Sequence, residues 1–294
     1  MTTYLPSILI TGAHGQLGNA LQHHIQAKNY HLIACSHEQV DITQPATIEQ
    51  AIATFKPKFI INAAAFTAVD QAENKREIAF QVNHLGAKNL ALLCHQHQLP
   101  LIHISTAYIF DGQKKNPYVE TDAAHPINAY GESKYLGEEA IKQYCEDAII
   151  LRITSVFSEY GHNFLKTILK LALEKEEFSI VADQITSPTY AGDIASALFS
   201  MMNTFQAGTY HYCNDQPVSW YEFALAIIHE AREHHALRVQ NVIATTTKEY
   251  KTSAQRPANS VLDCHKINKD FGILQTNWQA ALKKIVKPLL GINA

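Results

Sequence analysis

Three glycines spaced three residues apart follow the first apolar run of the chain. The run SILIT at 7–11 predicts a strand buried on both faces, and a helical pattern over 16–28 comes after the glycines. At such a turn Gly12 permits the sharp bend, Gly15 lets a pyrophosphate approach the backbone, and Gly18 allows close packing of helix on strand. The pattern predicts a dinucleotide-binding turn, and glycines that serve a tight turn alone are the alternative.

Strand–helix alternation continues through the first half of the chain. Further strands are predicted at 31–36, 59–62, 100–105 and 148–153. Further helices are predicted at 46–55, 78–97 and 130–144. The pattern over 78–97 carries Leu85, Asn89, Leu92 and Leu93 on recurring turns. This alternation predicts an α/β fold with a Rossmann-type, doubly wound parallel sheet covered by helices on both faces.

After about residue 155 the rhythm changes. Helices predicted at 163–174, 194–202, 219–235 and 278–290 are separated by longer polar connections. Ser219 and Glu222 have the spacing of a capping box, and the polar segment 245–260 predicts a surface loop. We therefore expect an NAD(P)-binding Rossmann domain over 1–155, whose sheet later segments can rejoin, and a smaller, mainly substrate-binding lobe over 156–294.

Composition excludes several classes of function. The chain of 294 residues has 24 Lys and Arg against 27 Asp and Glu, without the basic stripe that binds nucleic acid. No stretch approaches the roughly 20 apolar residues of a membrane span, and no signal peptide is recognisable. His229-Glu230 is followed by His234, so the HExxH zinc motif is missed. Five scattered cysteines fit a reducing compartment, and we expect a cytoplasmic protein without membrane or nucleic-acid partners.

Small and polar residues after the first and third predicted strands are candidate cofactor contacts. Gln16 and Leu17 open the first helix, where unpaired N–H groups favour a phosphate. Ala63, Ala64 and Ala65 follow the third strand, and their small side chains would let a flat cofactor lie against the backbone. These positions predict where the diphosphate and the ring of a nicotinamide cofactor bind.

The end of the second predicted strand bears on the choice of cofactor. It reads Cys35-Ser36-His37, with no carboxylate that would repel a 2′-phosphate. NADPH is therefore acceptable and expected to be preferred, with NADH as the alternative. His37 is a candidate partner of that phosphate or a plain surface histidine. Asp41, beside Ile42, is placed to accept a hydrogen bond from the adenine amino group.

A tyrosine and a lysine predict the chemistry. Tyr130 and Lys134 are four residues apart near the start of a helix, so both side chains share one face. An ammonium there would lower the phenol pKa and let Tyr130 exchange a proton near neutral pH. Ser105 and Thr106 end the fourth strand, at the edge where open α/β sheets bind ligands. Each motif alone has a structural alternative, but their order on one sheet favours an active site.

These motifs resemble the extended short-chain dehydrogenase/reductases, and more closely their dTDP-4-dehydrorhamnose reductase family. The resemblance runs nearly end to end, through 12–18, 62–73, 105–112, 120–122, 126–134, 183–189 and 254–260. It implies Thr106, Tyr130 and Lys134 as the catalytic residues. It also implies that Arg256 approaches the nucleotide diphosphate as a fork-shaped donor, with a salt-bridged surface arginine as the alternative.

Two residues depart from the family's pattern. Ala107 stands where members usually have an aspartate, and Ser155 stands where they often have a tryptophan. The family places both side chains near the sugar, so Ala107 and Ser155 join Thr106 and Arg256 as candidate substrate contacts. The identity of the sugar stays open for this reason.

The resemblance implies NADPH-dependent reduction of the C4 keto group of a dTDP-4-keto-6-deoxysugar. The main expectation is conversion of dTDP-4-dehydro-L-rhamnose to dTDP-L-rhamnose for polysaccharides such as lipopolysaccharide. One alternative is a reductase of a related nucleotide 4-keto sugar. The other is a non-catalytic NADP-binding regulatory subunit of the same fold. Family members can use magnesium at a dimer contact, which leaves a homodimer open, but no acidic cluster in the sequence identifies metal ligands.

Overall fold

A six-stranded parallel sheet organises the first half of the chain in the computed structural model, which describes residues 5–291. Its strands are β1 (Ser7–Thr11), β2 (His31–Cys35), β3 (Phe59–Asn62), β4 (Leu101–Thr106), β5 (Ala148–Ile153) and, from the second half, β10 (Gly208–His211). They lie in the order β2-β1-β3-β4-β5-β10. The order reverses between β1 and β3, and in open α/β sheets ligands bind at the carboxyl edge beside such a reversal.

Helices cover both faces of this sheet. One face carries α1 (Gln16–His23), α8 (Ala191–Asn203) and α10 (His265–Phe271), and the other carries α2 (Pro45–Phe55), α5 (Ala87–Gln96) and α6 (Ala129–Tyr144). Ile8 and Ile10 of β1 point into the first layer and Leu9 points into the second, because side chains alternate along a strand. The predicted doubly wound parallel sheet is confirmed.

Two predicted helices are more broken than their patterns indicated. The first ends at His23, and a 3₁₀ helix, Ile25–Asn29, follows it. The segment before α5 contains α3 (Val69–Asn74), α4 (Arg76–Phe80) and a π-helical stretch, Gln81–Gly86. A π turn changes the helical repeat, and Leu85 and Leu92 are exposed rather than facing the core.

The second half forms a smaller lobe with a core of its own. Its helices are α7 (Phe164–Glu174), α9 (Trp220–Arg232) and α11 (Trp278–Leu289). Its strand pairs are β6 (Val156–Phe157) with β9 (Thr189–Tyr190), β7 (Glu177–Val181) with β12 (Asn241–Thr245), and β8 (Ile185–Thr186) with β11 (Val218–Ser219). Phe157, Phe223 and Trp278 lie at the centre of this core. Within residues 5–291, no helix has both the length and the apolar character needed to cross a membrane.

Of the two local predictions made for this lobe, the capping box at Ser219 is confirmed and the surface loop at 245–260 is wrong in part. The capping box is confirmed, since the Ser219 hydroxyl accepts from Glu222 N–H at 3.1 Å and the Glu222 carboxylate accepts from Ser219 N–H at 2.7 Å. The segment 245–260 is not a surface loop throughout. Ala254 and Ser260 are buried, because the last part of this segment runs beside β8 and residue Gly112.

Candidate active site

A cavity of about 580 Å³ lies at the carboxyl edge of the sheet, next to the smaller lobe. Its volume falls in the range of sites for small molecules and cofactors. Residues from the turn after β1, from the ends of β3, β4 and β5, and from the start of α6 line it. The predicted site residues that it brings together are Gly15, Gln16, Leu17, Ala63, Ala65, Thr106, Tyr130, Lys134 and Ser155.

The glycine turn is closed on one side and open to the cavity on the other. Gly12 has a φ of +73°, and a Cβ there would lie 2.6 Å from the amide nitrogen of Ala64. A Cβ on Gly18 would collide with the carbonyl oxygen of Gly12. At Gly15, by contrast, the nearest atom would be that same oxygen at 3.3 Å, and the rest of the surroundings is open. The bare backbone at Gly15 therefore leaves the room that a phosphate needs.

Gln16 adds donors to this turn. Its Oε1 accepts from Ser158 Oγ and from Asn163 Nδ2, both at 2.9 Å. Within residues 5–291 its amide nitrogen has no hydrogen-bond partner, so two N–H groups remain at the cavity wall. The first turn of α1 contains no acidic residue that would compete for its N–H groups. The donor set thus fits the diphosphate of a dinucleotide cofactor.

The residues predicted to bind the adenosine end lie outside this cavity. Ser36 is buried, and its Oγ donates to Glu38 Oε2 at 2.6 Å. The interpretation that this strand end is free of carboxylates is therefore wrong, because Glu38 folds back onto Ser36, although it is exposed and its charge is screened by water. Asp41 accepts from the Thr43 N–H at 2.9 Å, and Ile42 is buried against Gly86.

Tyr130 and Thr106 meet in the cavity. Burial raises the pKa of Tyr130 to about 12, and a hydrogen bond from Thr106 offsets this only in part. Tyr108 packs edge-on against the Tyr130 ring, with 6.0 Å between centroids. The expectation that Lys134 brings this pKa towards neutrality differs from the structure, where removal from water is the largest influence. The phenol of Tyr130 keeps its proton at neutral pH, as an acid must.

Lys134 is almost completely buried, at 1% exposure. Its Nζ donates to the Ile104 carbonyl at 2.6 Å and lies 3.1 Å from His103 Nε2. Burial lowers the pKa of Lys134 to about 8, while the charge of Glu138 opposes the change. Burial and the charge of Lys134 hold the pKa of His103 well below its usual range, so this imidazole is neutral.

An ion pair with no direct access to the cavity lies one turn farther along α6. Arg152 Nη2 donates to Glu138 Oε2 at 2.7 Å, and both side chains are buried. The Ser105 hydroxyl donates to the same carboxylate at 2.5 Å. The hydroxyl of Ser105 is therefore committed to Glu138, and Thr106 is the strand-end residue whose hydroxyl reaches Tyr130.

The remaining candidate substrate contacts are distributed unevenly. Ser155 lines the cavity with a φ of +43°, and its hydroxyl is hydrogen-bonded to Thr186. Ala107 is completely buried in the core and does not line the cavity. Arg256 also lies outside the lining, and it donates to Asp70 at 2.6 Å and 3.1 Å. Ala64 donates its N–H to Asn62 Oδ1 and likewise lies behind the wall.

The sequence interpretation missed several residues of the cavity wall. Thr67 and Val69 follow β3, while His162 and Trp220 come from the smaller lobe. The capping box did mark residue 220 as a helix start, but nothing local indicated that this helix begins at the cavity. No group of three or more His, Cys, Asp or Glu side chains that could hold a metal ion occurs among residues 5–291.

Comparison with known proteins gives one consistent result. The family model for the RmlD substrate binding domain matches residues 6–290. A dTDP-4-dehydrorhamnose reductase of Aggregatibacter actinomycetemcomitans is 45% identical over 95% of this chain and 97% of its own length. The spore coat polysaccharide biosynthesis protein SpsK of Bacillus subtilis is 37% identical over 96% of this chain and 98% of its own length.

Solved structures agree with these relatives. The dTDP-4-dehydrorhamnose reductase of Bacillus anthracis, in complex with NADP, has a TM-score of 0.90 at 37% identity and covers 95% of this chain and 98% of that one. An orthologue from Clostridium acetobutylicum has a TM-score of 0.91 at 33% identity, with coverages of 97% and 99%.

Proposed function

Because the chain belongs to the dTDP-4-dehydrorhamnose reductase family, we propose that it uses NADPH to reduce the C4 keto group of dTDP-4-dehydro-L-rhamnose to dTDP-L-rhamnose. One observation carries the assignment to this cavity. A phosphate-binding turn at Gly15 and an acid at Tyr130 open onto the same space. A reductase needs both, since cofactor and sugar must meet there.

The cofactor, when bound, supplies the hydride, and the protein supplies placement and a proton. Tyr130 holds its proton at neutral pH and gives it to the C4 oxygen. Thr106 polarises and orients the carbonyl through its hydroxyl. The Lys134 ammonium stabilises the phenolate that Tyr130 leaves behind, because an opposite charge in a water-poor site favours the anion. Gly15, Gln16 and Leu17 bind the diphosphate.

The substrate side of the cavity supports a sugar nucleotide. Ser155 presents a small side chain where many family members have a larger one, and Trp220 and His162 complete the wall. We propose that these residues, rather than the buried Ala107, contact the sugar. We propose that Arg256 leaves its ion pair with Asp70 when the substrate binds and pairs instead with the diphosphate of the dTDP-sugar.

The proposed compartment is a reducing cytoplasm. All five cysteines are free and buried. Cys213 Sγ and Cys264 Sγ are 3.8 Å apart without a bond. Two thiols so close together stay reduced where thiol-reducing systems operate.

The experiment that tests the function is NADPH oxidation with a panel of dTDP-4-keto-6-deoxysugars, followed by determination of the C4 configuration of the product. We expect the highest kcat/KM with dTDP-4-dehydro-L-rhamnose and the L-rhamno product. A higher kcat/KM with another 4-keto sugar would replace the substrate while keeping the reaction. NADPH binding without turnover on any sugar would overturn the proposal and favour a regulatory subunit.

A further inference from the structure

A chain of buried hydrogen bonds runs from β1 to Lys134. Thr11 Oγ1 donates to Asn62 Oδ1 at 2.7 Å, Asn62 Nδ2 lies 2.9 Å from His103 Nδ1, and His103 Nε2 lies 3.1 Å from Lys134 Nζ. None of the four side chains is more than 1% exposed. Because these side chains are almost completely shielded from solvent, their polar atoms need donors and acceptors within the protein.

Asn62 determines which atoms donate and which accept along this series of hydrogen bonds. The backbone N–H of Ala64 donates to Asn62 Oδ1 at 3.2 Å, and a backbone amide can only donate. The carbonyl oxygen of the Asn62 side chain must therefore face Ala64, and its NH₂ group faces His103. His103 then has to accept at Nδ1, so the neutral imidazole carries its proton on Nε2.

This tautomer presents a donor to Lys134. A neutral lysine amine accepts from Nε2–H and still donates to the Ile104 carbonyl at 2.6 Å. A lysine ammonium has no lone pair and would meet Nε2–H as a second donor. If the imidazole proton sits on Nδ1 instead, Nε2 can accept from the ammonium, but Nδ1–H then faces the NH₂ group of Asn62, and these two groups are both donors. Every arrangement with an ammonium therefore leaves one pair of donors opposed.

We propose that His103 is a positioning residue which, oriented by Asn62, favours the amine form of Lys134 over the ammonium form. The consequence for catalysis rests on the proposed reductase function: Lys134 loses its charge at a pH only slightly above neutrality, which limits turnover on the alkaline side. Besides His103, the charge that acts on Lys134 is Glu138 on α6, which also faces Arg152 on β5 and Lys142 on α6, and Tyr130 lines the same cavity. Arg152 and Ser105 occupy Glu138, so its carboxylate forms no hydrogen bond with Lys134.

The first variant is Asn62→Asp, which has nearly the same shape but also adds a buried carboxylate whose charge by itself favours the ammonium form of Lys134. One carboxylate oxygen still accepts from Thr11 and Ala64, and the other now accepts from His103 Nδ1–H. The imidazole then offers a lone pair at Nε2 to the Lys134 ammonium. His103→Gln is the second variant, because its side-chain oxygen can accept from the ammonium directly. The matched control is Thr11→Val, which removes one hydrogen bond of the chain without changing its direction.

Lys134 is observed directly by NMR of protein labelled with ¹³Cε,¹⁵Nζ-lysine, free of cofactor and substrate, and its signal is identified by its loss in Lys134→Arg. We expect Asn62→Asp and His103→Gln to raise the titration midpoint of Lys134 by about one pH unit or more, the size that a new favourable partner produces. Thr11→Val should leave the midpoint within about 0.3 unit, since the direction of donors is unchanged. An unchanged or lowered midpoint in His103→Gln, which adds no charge, would overturn the proposal whatever Asn62→Asp shows.

The alkaline limb of the kcat profile provides the functional measurement. In Asn62→Asp and His103→Gln it should move to higher pH together with the NMR midpoint, whereas a general loss of packing would lower kcat at all pH values. If the wild type reduces no 4-keto sugar, the proposed function fails, but the NMR titration of the free protein still decides the role of His103. If Asn62→Asp does not fold, His103→Gln decides the question alone.

Discussion

Arg152 and Lys134 are two cations buried in the same layer of the molecule, and they are held in opposite ways. Arg152 faces the Glu138 carboxylate, with Nη2–Oε2 and Nε–Oε1 distances of 2.7 and 2.9 Å. Lys134 faces a neutral imidazole and one backbone carbonyl. Glu138 is the carboxylate whose charge acts on Lys134 in the described residues 5–291, and it is bonded to Arg152 and Ser105 and lies 3.8 Å from Lys142 Nζ.

Arg152 therefore serves the structure, and Lys134 serves the chemistry of the site. A guanidinium paired with a carboxylate is fixed in its charge state and orientation, so it joins α6 to β5 permanently. Lys134 has no carboxylate as a hydrogen-bond partner, so desolvation outweighs the attraction of Glu138 and lowers its pKa to about 8, a range in which enzymes work. Occupation of Glu138 by Arg152 is therefore what leaves Lys134 able to change its charge.

The largest loss of activity is expected at Tyr130, whose phenolate Lys134 is proposed to stabilise. Tyr130→Phe removes the proton donor and should lower kcat by about 10²–10⁴-fold, the usual contribution of a general acid. The Kd for NADPH, measured by fluorescence titration, should change little, because the cofactor diphosphate binds at Gly15–Leu17 and not at Tyr130. A variant that keeps more than a tenth of the wild-type kcat would remove Tyr130 from the mechanism.

Replacing the two cations separately tests the comparison itself. Arg152→Met leaves the buried Glu138 carboxylate without its partner, and the free energy of unfolding should fall by about 3–5 kcal/mol in urea titrations. Lys134→Met removes a desolvated charge, which offsets part of the cost of leaving the Ile104 carbonyl and His103 Nε2 without a partner, so the free energy of unfolding should fall by about 1–2 kcal/mol, less than in Arg152→Met, while activity is lost. Equal losses of stability in both variants would mean that Lys134 is a structural cation after all.

The pH dependence of the wild type sharpens the same contrast. The folded-state pKa of Lys134, about 8, is lower than the ordinary value of 10.5 in the unfolded chain. The ammonium is therefore present below about pH 8 and lost above it, and kcat should fall by up to tenfold per pH unit on that side. Between these two pKa values Lys134 holds more protons in the unfolded chain, so its own contribution to the free energy of unfolding should rise with pH. Burial raises the pKa of the Cys35, Cys94 and Cys145 thiols, which lowers the free energy of unfolding above about pH 9. We therefore expect the difference in free energy of unfolding between the wild type and Lys134→Met to rise with pH above about pH 8, and a difference that does not change with pH would contradict the assignment.

The smallest effect is expected for a third cation, which is partly exposed. Arg256 is paired with Asp70, whose pKa is lowered mainly by hydrogen bonding to Arg256. Asp70→Asn should change the free energy of unfolding by less than about 1 kcal/mol, as for other surface pairs. If Arg256 acts at the diphosphate, Arg256→Gln raises KM for the dTDP-sugar several-fold and leaves kcat nearly unchanged. An unaltered KM would make Arg256 a structural partner of Asp70 alone.

Local sequence signals predicted most of the sheet and the central site residues. Apolar runs placed the first five strands within a residue of their observed bounds, because strands buried on both faces have few other ways to satisfy their side chains. The order of the glycine turn, Thr106, Tyr130 and Lys134 along the chain placed them at one sheet edge, since parallel strands end on the same side.

Features that depend on tertiary contacts could not be read from the sequence. The π-helical stretch at 81–86 reversed the exposure expected for Leu85 and Leu92. Glu38 bonds Ser36 through a turn whose shape no short pattern specified. His103 sits in an apolar strand pattern, and only the meeting of β3, β4 and α6 makes it a neighbour of Lys134. The division of the chain at residue 155 stays a prediction.

Strand β10 is synthesised well after β5, although the two strands pair in the finished sheet. All six residues of β5 are buried in the finished sheet, and β10 covers its outer edge through pairs such as Thr209 with Ile150. A ribosome adds about 5–20 residues per second, so the first half of the chain leaves it several seconds before β10 is available. During that interval a flat, apolar strand edge is open to other nascent chains. Yield in cells should therefore depend on translation speed and chaperones between β5 and β10.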